Sequence, residues 1–163
     1  MNNTPAAAPQ QPGVDVGPMI ADIEKRLPKN LLDIFKKTIL AGERLMFDKA
    51  SHQMMVDQLN QPGPMAKKAS DGIVSVVFML WQQSNETVPP QIIVPAAITL
   101  AYRAFEFLQD SQDPEATLTV LGDLLDETYS SILDKLGATP EQIEQFLQQQ
   151  NAGPATGMIG AAR

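Results

Sequence analysis

The sequence contains no cysteine and one histidine, His52. It therefore excludes disulfide stapling and thiolate metal sites. It also leaves little for chemistry near neutral pH, which draws on His, Cys or clustered carboxylates. His52 stands in the Met-rich stretch Ser51-His52-Gln53-Met54-Met55, with Asp48 four residues before it as its one helical partner. Without an HExxH partner, this reads as a surface or packing residue. Its pairing with Asp48 would strengthen on protonation. Phosphate-cradling and nucleophile-elbow patterns (GxxxxGK[ST], GxGxxG, GxSxG) are absent, so no nucleotide or other cofactor is implied. No hairpin signal, alternating strand or internal repeat is present.

Positive charge is also scarce. The net charge is −7, which argues against direct nucleic-acid binding, because duplex affinity rests on phosphate neutralisation. The imbalance is local. Residues 1–103 carry ten Lys/Arg and nine Asp/Glu, whereas residues 104–163 carry two and ten. One end of the molecule is expected to be strongly acidic, either for solubility or for docking onto a basic partner surface. The longest uncharged apolar runs, Gly72–Trp81 and Ile92–Tyr102, are each about half of the ~20 residues that span a bilayer. The first fifteen residues carry no secretory signal pattern. Membrane contact is expected at most transiently, through opening of that apolar pair.

What is abundant is the vocabulary of helices. Met19, Ile20, Ile23 and Leu27 form a short stripe that Pro28 ends. Leu31, Ile34, Phe35, Thr38, Ile39, Gly42, Leu45 and Met46 then follow the three–four spacing of an amphipathic helix. This helix is expected to run on through Met55 and Leu59, up to the breaker Asn60-Gln61-Pro62-Gly63-Pro64. Met65–Gln83 is the next helix, with Lys67 and Asp71 as an i,i+4 pair. After Pro89-Pro90, the stripe Ile92, Ile93, Ala96, Ala97, Leu100, Ala101, Ala104, Phe105 and Leu108 contains Pro95. The helix is either kinked there or starts there. Asp113-Pro114 reads as cap and first residue of a helix that Gly137 ends in left-handed geometry. Thr139 and Gln142 frame a capping box for a last helix carrying Ile143, Phe146 and Leu147.

The fold expected is all-α: an antiparallel bundle of five or six helices over residues 18–150, centred on 73–81 and 92–108. Flanking arms are expected at 1–17, rich in Pro and Ala, and at 151–163, rich in Gly and Ala with the apolar island Met158-Ile159. Both should order by lying on neighbouring subunits.

No metal set is legible. Asp123, Asp126 and Glu127 share one helix face with Asp134 beyond, but the spacing and glycine of a calcium loop are missing. They read as a solvated face, with docking as the sharper alternative. Trp81 is expected to anchor the core with its N–H at a polar rim, or else an interface. Met46, Met54, Met55, Met65 and Met79 suit a plastic packing surface.

The layout resembles that of small helical virion proteins of tailed bacteriophages: no cysteine, a Pro/Ala/Gln-rich start, a helical middle and the ending Gly-Met-Ile-Gly-Ala-Ala. The resemblance implies a non-enzymatic structural protein, internal or associated with portal or tail, of the kind that can be ejected with the genome. It would be made in the host cytoplasm and assembled as a homo-oligomer with other protein subunits of the particle. Trp81, Met54, Met55, Met158, Ile159, Asp123, Asp126 and Glu127 are the interaction candidates. One alternative is a cytosolic acidic adaptor or chaperone that covers a basic client. Another is an enzyme with a carboxylate-only site, which requires burial of at least two of Asp71, Asp123, Asp126, Glu127 and Asp134.

Overall fold

A computed structural model describes residues 13–49, 52–111, 113–139, 141, 142 and 145, with the side chains of His52 and Met54 outside the description. Six α-helices follow one another: α1 (Gly17–Arg26), α2 (Lys29–Phe47), α3 (His52–Leu59), α4 (Met65–Gln83), α5 (Pro90–Asp110) and α6 (Leu118–Leu136). The fold is an all-α bundle, and no strand occurs among the described residues. Of the expected last helix, Glu141, Gln142 and Gln145 are described and all three are helical, whereas Ile143, Phe146 and Leu147 lie outside the described residues. At its start the Thr139 N–H donates to Gln142 Oε1 (3.0 Å), and the Gln142 N–H donates to Thr139 Oγ1 (3.3 Å), as a capping box requires.

Proline starts three of these helices. Pro28, Pro64 and Pro89 occupy the N-cap positions of α2, α4 and α5, with ψ between 137° and 141° and no side-chain cap. Their fixed φ sets the entry, and they lack an N–H that would need a partner. Among the described N-caps, those of α1, α2, α4, α5 and α6, only that of α6 is a side-chain cap: Thr117 Oγ1 accepts the Val120 N–H at 3.3 Å. The Asp113-Pro114 start is thereby corrected. Asp113 instead folds a turn by accepting the Glu115 N–H (2.9 Å), and the helix begins five residues later. Gly137, at φ 64°, closes α6 as expected, with Ala138 N–H reaching Leu133 O at 3.0 Å.

Two further expectations change. The helix after Pro28 does not run on to Leu59. It stops at Phe47, where Asp48 is extended, and α3 restarts at His52. α5 is continuous from Pro90, so Pro95 does not delay it. The carbonyl that loses its donor belongs to Gln91, on the exposed first turn, where water can serve it.

The core sits on α4 and α5. Ile73, Val74, Val76 and Val77 of α4 and Ile92, Ile93, Ala96, Ala97, Leu100, Ala101 and Phe105 of α5 are 0–1% exposed, as expected for the bundle centre. α4 packs against α2, α3, α5 and α6, and α5 against α1, α2, α4 and α6. Burying each of these branched side chains contributes about 1.5–3 kcal/mol. By length and composition, α5 is the one helix among the described residues that is apolar enough to cross a membrane, although its uncharged run alone is too short. Just over half of its apolar window is buried in the bundle.

The chain enters this body earlier than expected. Gly13–Val16, assigned to the arm by composition, joins the body, with Val14 held against Gln109 of α5. The Val14 N–H donates to Gln109 Oε1 (2.6 Å), and Gln109 Nε2 donates back to Val14 O (3.0 Å). Val16 is fully buried.

Candidate functional site

The C-terminal halves of α2 and α5 run side by side in the same direction. Gly42 meets Leu100, Glu43 meets Arg103, and Phe47 meets Phe107. The close approach depends on Gly42, where a Cβ would lie 2.6 Å from Leu100 Cδ1. Above this crossing, a shallow groove of ≈ 490 Å³ opens to solvent. Each wall is an i, i+3, i+4, i+7 stripe: Leu40, Glu43, Arg44 and Phe47 on α2, and Arg103, Glu106, Phe107 and Asp110 on α5, with Asp48 at one end.

The groove combines apolar anchors with a charged middle. Leu40 is 51% exposed, Phe107 45% and Phe47 36%. The two rings lie 5.1 Å apart at an interplanar angle of 36°. Beside them, Arg103 bridges the helices, with Nε 3.0 Å from Glu43 Oε1 and Nη1 2.9 Å from Glu106 Oε2. The Nη1 contact is an aligned hydrogen bond, whereas the Nε contact is a close charge approach without hydrogen-bond alignment. The hydrogen bond to Glu106, with Glu43 adding, raises the Arg103 pKa above its ordinary high value against the cost of desolvation. Arg103 is therefore a permanent cation that bridges the two walls. Such an arrangement binds by burying aromatic and aliphatic anchors within a polar rim.

The residues singled out from sequence are scattered. Asp123 and Asp126 are exposed and Glu127 half-exposed on α6, away from the groove. Among Asp71, Asp123, Asp126, Glu127 and Asp134 none is buried, so these five do not meet the burial condition set for a carboxylate-only site. No group of three metal-ligating side chains comes together among the described residues. Met55 is corrected from surface to core: it is 6% exposed, because its sulfur packs where Gly72 leaves room. Met46 is likewise buried. Met158 and Ile159 lie outside the described residues, as do the side chains of Met54 and His52.

Trp81 is half-buried and stacks edge-on to Phe78 at 5.8 Å, with Lys135 Nζ 5.4 Å above the Phe78 ring. Its N–H is buried and meets no acceptor among the described residues, rather than reaching a polar rim.

The sequence did carry a signal for the groove. Leu40, Phe47 and Phe107 fall outside the core stripes of their helices, and Leu40 and Phe47 are seven residues apart. Large apolar residues repeated on a polar face are the sequence mark of a candidate contact surface. Comparison of the chain with protein-family models, curated proteins and solved structures returns no match.

Proposed function

We propose that this chain is a non-enzymatic structural protein that joins an assembly of protein subunits, including copies of itself, through the α2–α5 groove. The observation that carries this reading is the exposed Leu40, Phe47 and Phe107 around the Arg103 bridge. A groove of apolar anchors between two helices suits recognition of a peptide segment or helix. The assembly we propose is the virion of a tailed bacteriophage, on the layout of Pro/Ala/Gln-rich start, helical body and Gly-rich end.

Multi-angle light scattering of the full chain and of Phe107→Glu tests this function. The natural chain should form particles of several copies. The variant should keep its helical circular dichroism and lose the association, because a carboxylate in place of the ring removes the apolar surface that assembly would bury and adds a charge to desolvate. A natural chain that stays monomeric at every concentration, or a variant that assembles equally well, would refute it.

A further inference from the structure

The groove can be matched to an occupant from this same chain. Gln109 grips both backbone groups of Val14, so the first described residues, Gly13 and Val14, are fixed at the C-terminal end of α5. Phe107 and Asp110 of the groove lie within ~3 Å of rise of Gln109 but about 160° and about 100° round α5 from it, so the anchor and the groove share one end of the helix on different faces. The residues that precede the anchor are Met1-Asn2-Asn3-Thr4-Pro5-Ala6-Ala7-Ala8-Pro9-Gln10-Gln11-Pro12. Their side chains carry no charge.

Three prolines fix φ near the polyproline II value and bias Thr4, Ala8 and Gln11 towards extended backbone. Pro9 and Pro12 are three residues apart, which places both rings on one edge of a three-fold helix. Segments of this kind dock on aromatic-lined grooves because little conformational entropy is left to lose. The ring pair Phe47 and Phe107 supplies the aromatic floor. The carboxylates and guanidinium groups of the rim suit the amides of Gln10 and Gln11 and the solvated carbonyls of such a helix.

Stiffness decides whose groove is filled. A proline-rich spacer extends about 3.1 Å per residue, so twelve residues reach about 37 Å. A stiff segment would have to bend round α5 to enter the groove of its own chain, whereas about 37 Å is enough to reach that of a neighbouring molecule.

We propose that residues Pro5–Pro12 of one copy occupy the α2–α5 groove of a second copy, with the prolines on Phe47 and Phe107. The inference rests on the assembly reading and names its partner.

The absence of native cysteine makes the test direct. Full-length Ala8→Cys and Asp48→Cys chains are mixed under mild oxidation. The mixed 8–48 disulfide should outpace both like-with-like products. It should slow about tenfold, the equivalent of about 1.4 kcal/mol of docking energy, when the Asp48→Cys chain also carries Phe107→Ala. Phe47→Ala in the same chain provides a second disruption, with circular dichroism checking that each variant is folded.

A chain bearing both cysteines should give dimers and larger ladders. Monomer-sized product would show that the segment fills its own groove and would overturn the proposal, as would a mixed rate indifferent to both phenylalanine substitutions. Light scattering separates the two readings. Copies that assemble without an 8–48 disulfide refute the occupant alone, whereas a chain that never assembles refutes both.

Discussion

Alanine substitution at three glycines measures how closely α2 approaches α5, the contact on which the groove is built. In an exposed helix, Gly→Ala stabilises by about 1 kcal/mol through lost unfolded-state freedom and better propensity. Gly122 of α6 is exposed, and an added Cβ there meets nothing within 4 Å, so Gly122→Ala should realise that full gain. At Gly72, the added Cβ lies 2.9 Å from Met55 Sδ. A thioether can swing aside at modest cost, so the net effect should be close to zero.

At Gly42 the added Cβ lies 2.6 Å from Leu100 Cδ1 and 3.0 Å from Cδ2. Leu100 is fully buried and cannot yield without moving its neighbours. Overpacking of this kind costs about 1–3 kcal/mol, which leaves Gly42→Ala up to about 2 kcal/mol destabilising after the propensity gain. Leu100→Ala alone should cost about 2–5 kcal/mol. Because the new methyl at 42 enters the space that Leu100 vacates, the double variant should be less unstable than the sum, by about 1 kcal/mol. Urea denaturation followed by circular dichroism gives all five values, provided that the slope is unchanged. If Gly42→Ala stabilised as much as Gly122→Ala, or if the double variant were simply additive, α2 would not lie against Leu100. The walls of the groove would then stand further apart.

Other consequences follow from single features. Arg103→Ala leaves Glu43 and Glu106 facing each other without a cation. Since these groups are more than a third exposed or nearly so, the cost should be only about 0.5–1 kcal/mol and should shrink at high salt, as denaturation at two ionic strengths would show. Asn85 and Glu86 both have positive φ in the turn after α4, so Glu86→Gly should raise stability by up to about 1 kcal/mol; a decrease would count against that geometry. The Glu141 carboxyl is held below its ordinary value of 4.5, first by its own backbone N–H and then by Thr139. The help this carboxylate gives to the cap is complete above the unfolded value and lost as pH falls through the lowered one. An NMR titration should therefore place the Glu141 midpoint below 4.5 and show it rising in Thr139→Ala.

Much of the fold was legible because burial imposes a period. The stripes through Ile73–Val77 and Ile92–Phe105 mark helices whose apolar faces have to meet. The prolines at 28, 64 and 89 announce three helix starts without a capping side chain. The break between Phe47 and His52 was not legible, because no Gly or Pro stands there and the apolar period continues across it. Asp113-Pro114 has the composition of a helix start, yet Asp113 caps a turn, a choice made by tertiary packing of α6. Val14 and Val16 were lost among arm residues, because two valines ahead of the first helix give no period, and the partner of Val14, Gln109, is ninety-five positions away. The groove was the hardest feature to read. Its Phe47–Phe107 pair joins residues sixty positions apart, and only the Gly42–Leu100 approach brings them together.

The central claim is that another chain covers Phe47 and Phe107. Hydroxyl-radical footprinting of the full-length protein, dilute and assembled, measures that coverage side chain by side chain. Both phenylalanines should lose reactivity on assembly, while Leu118, 67% exposed at the start of α6, should keep its own. Phenylalanines that react equally in both states, or protection that appears at Leu118 instead, would contradict the account.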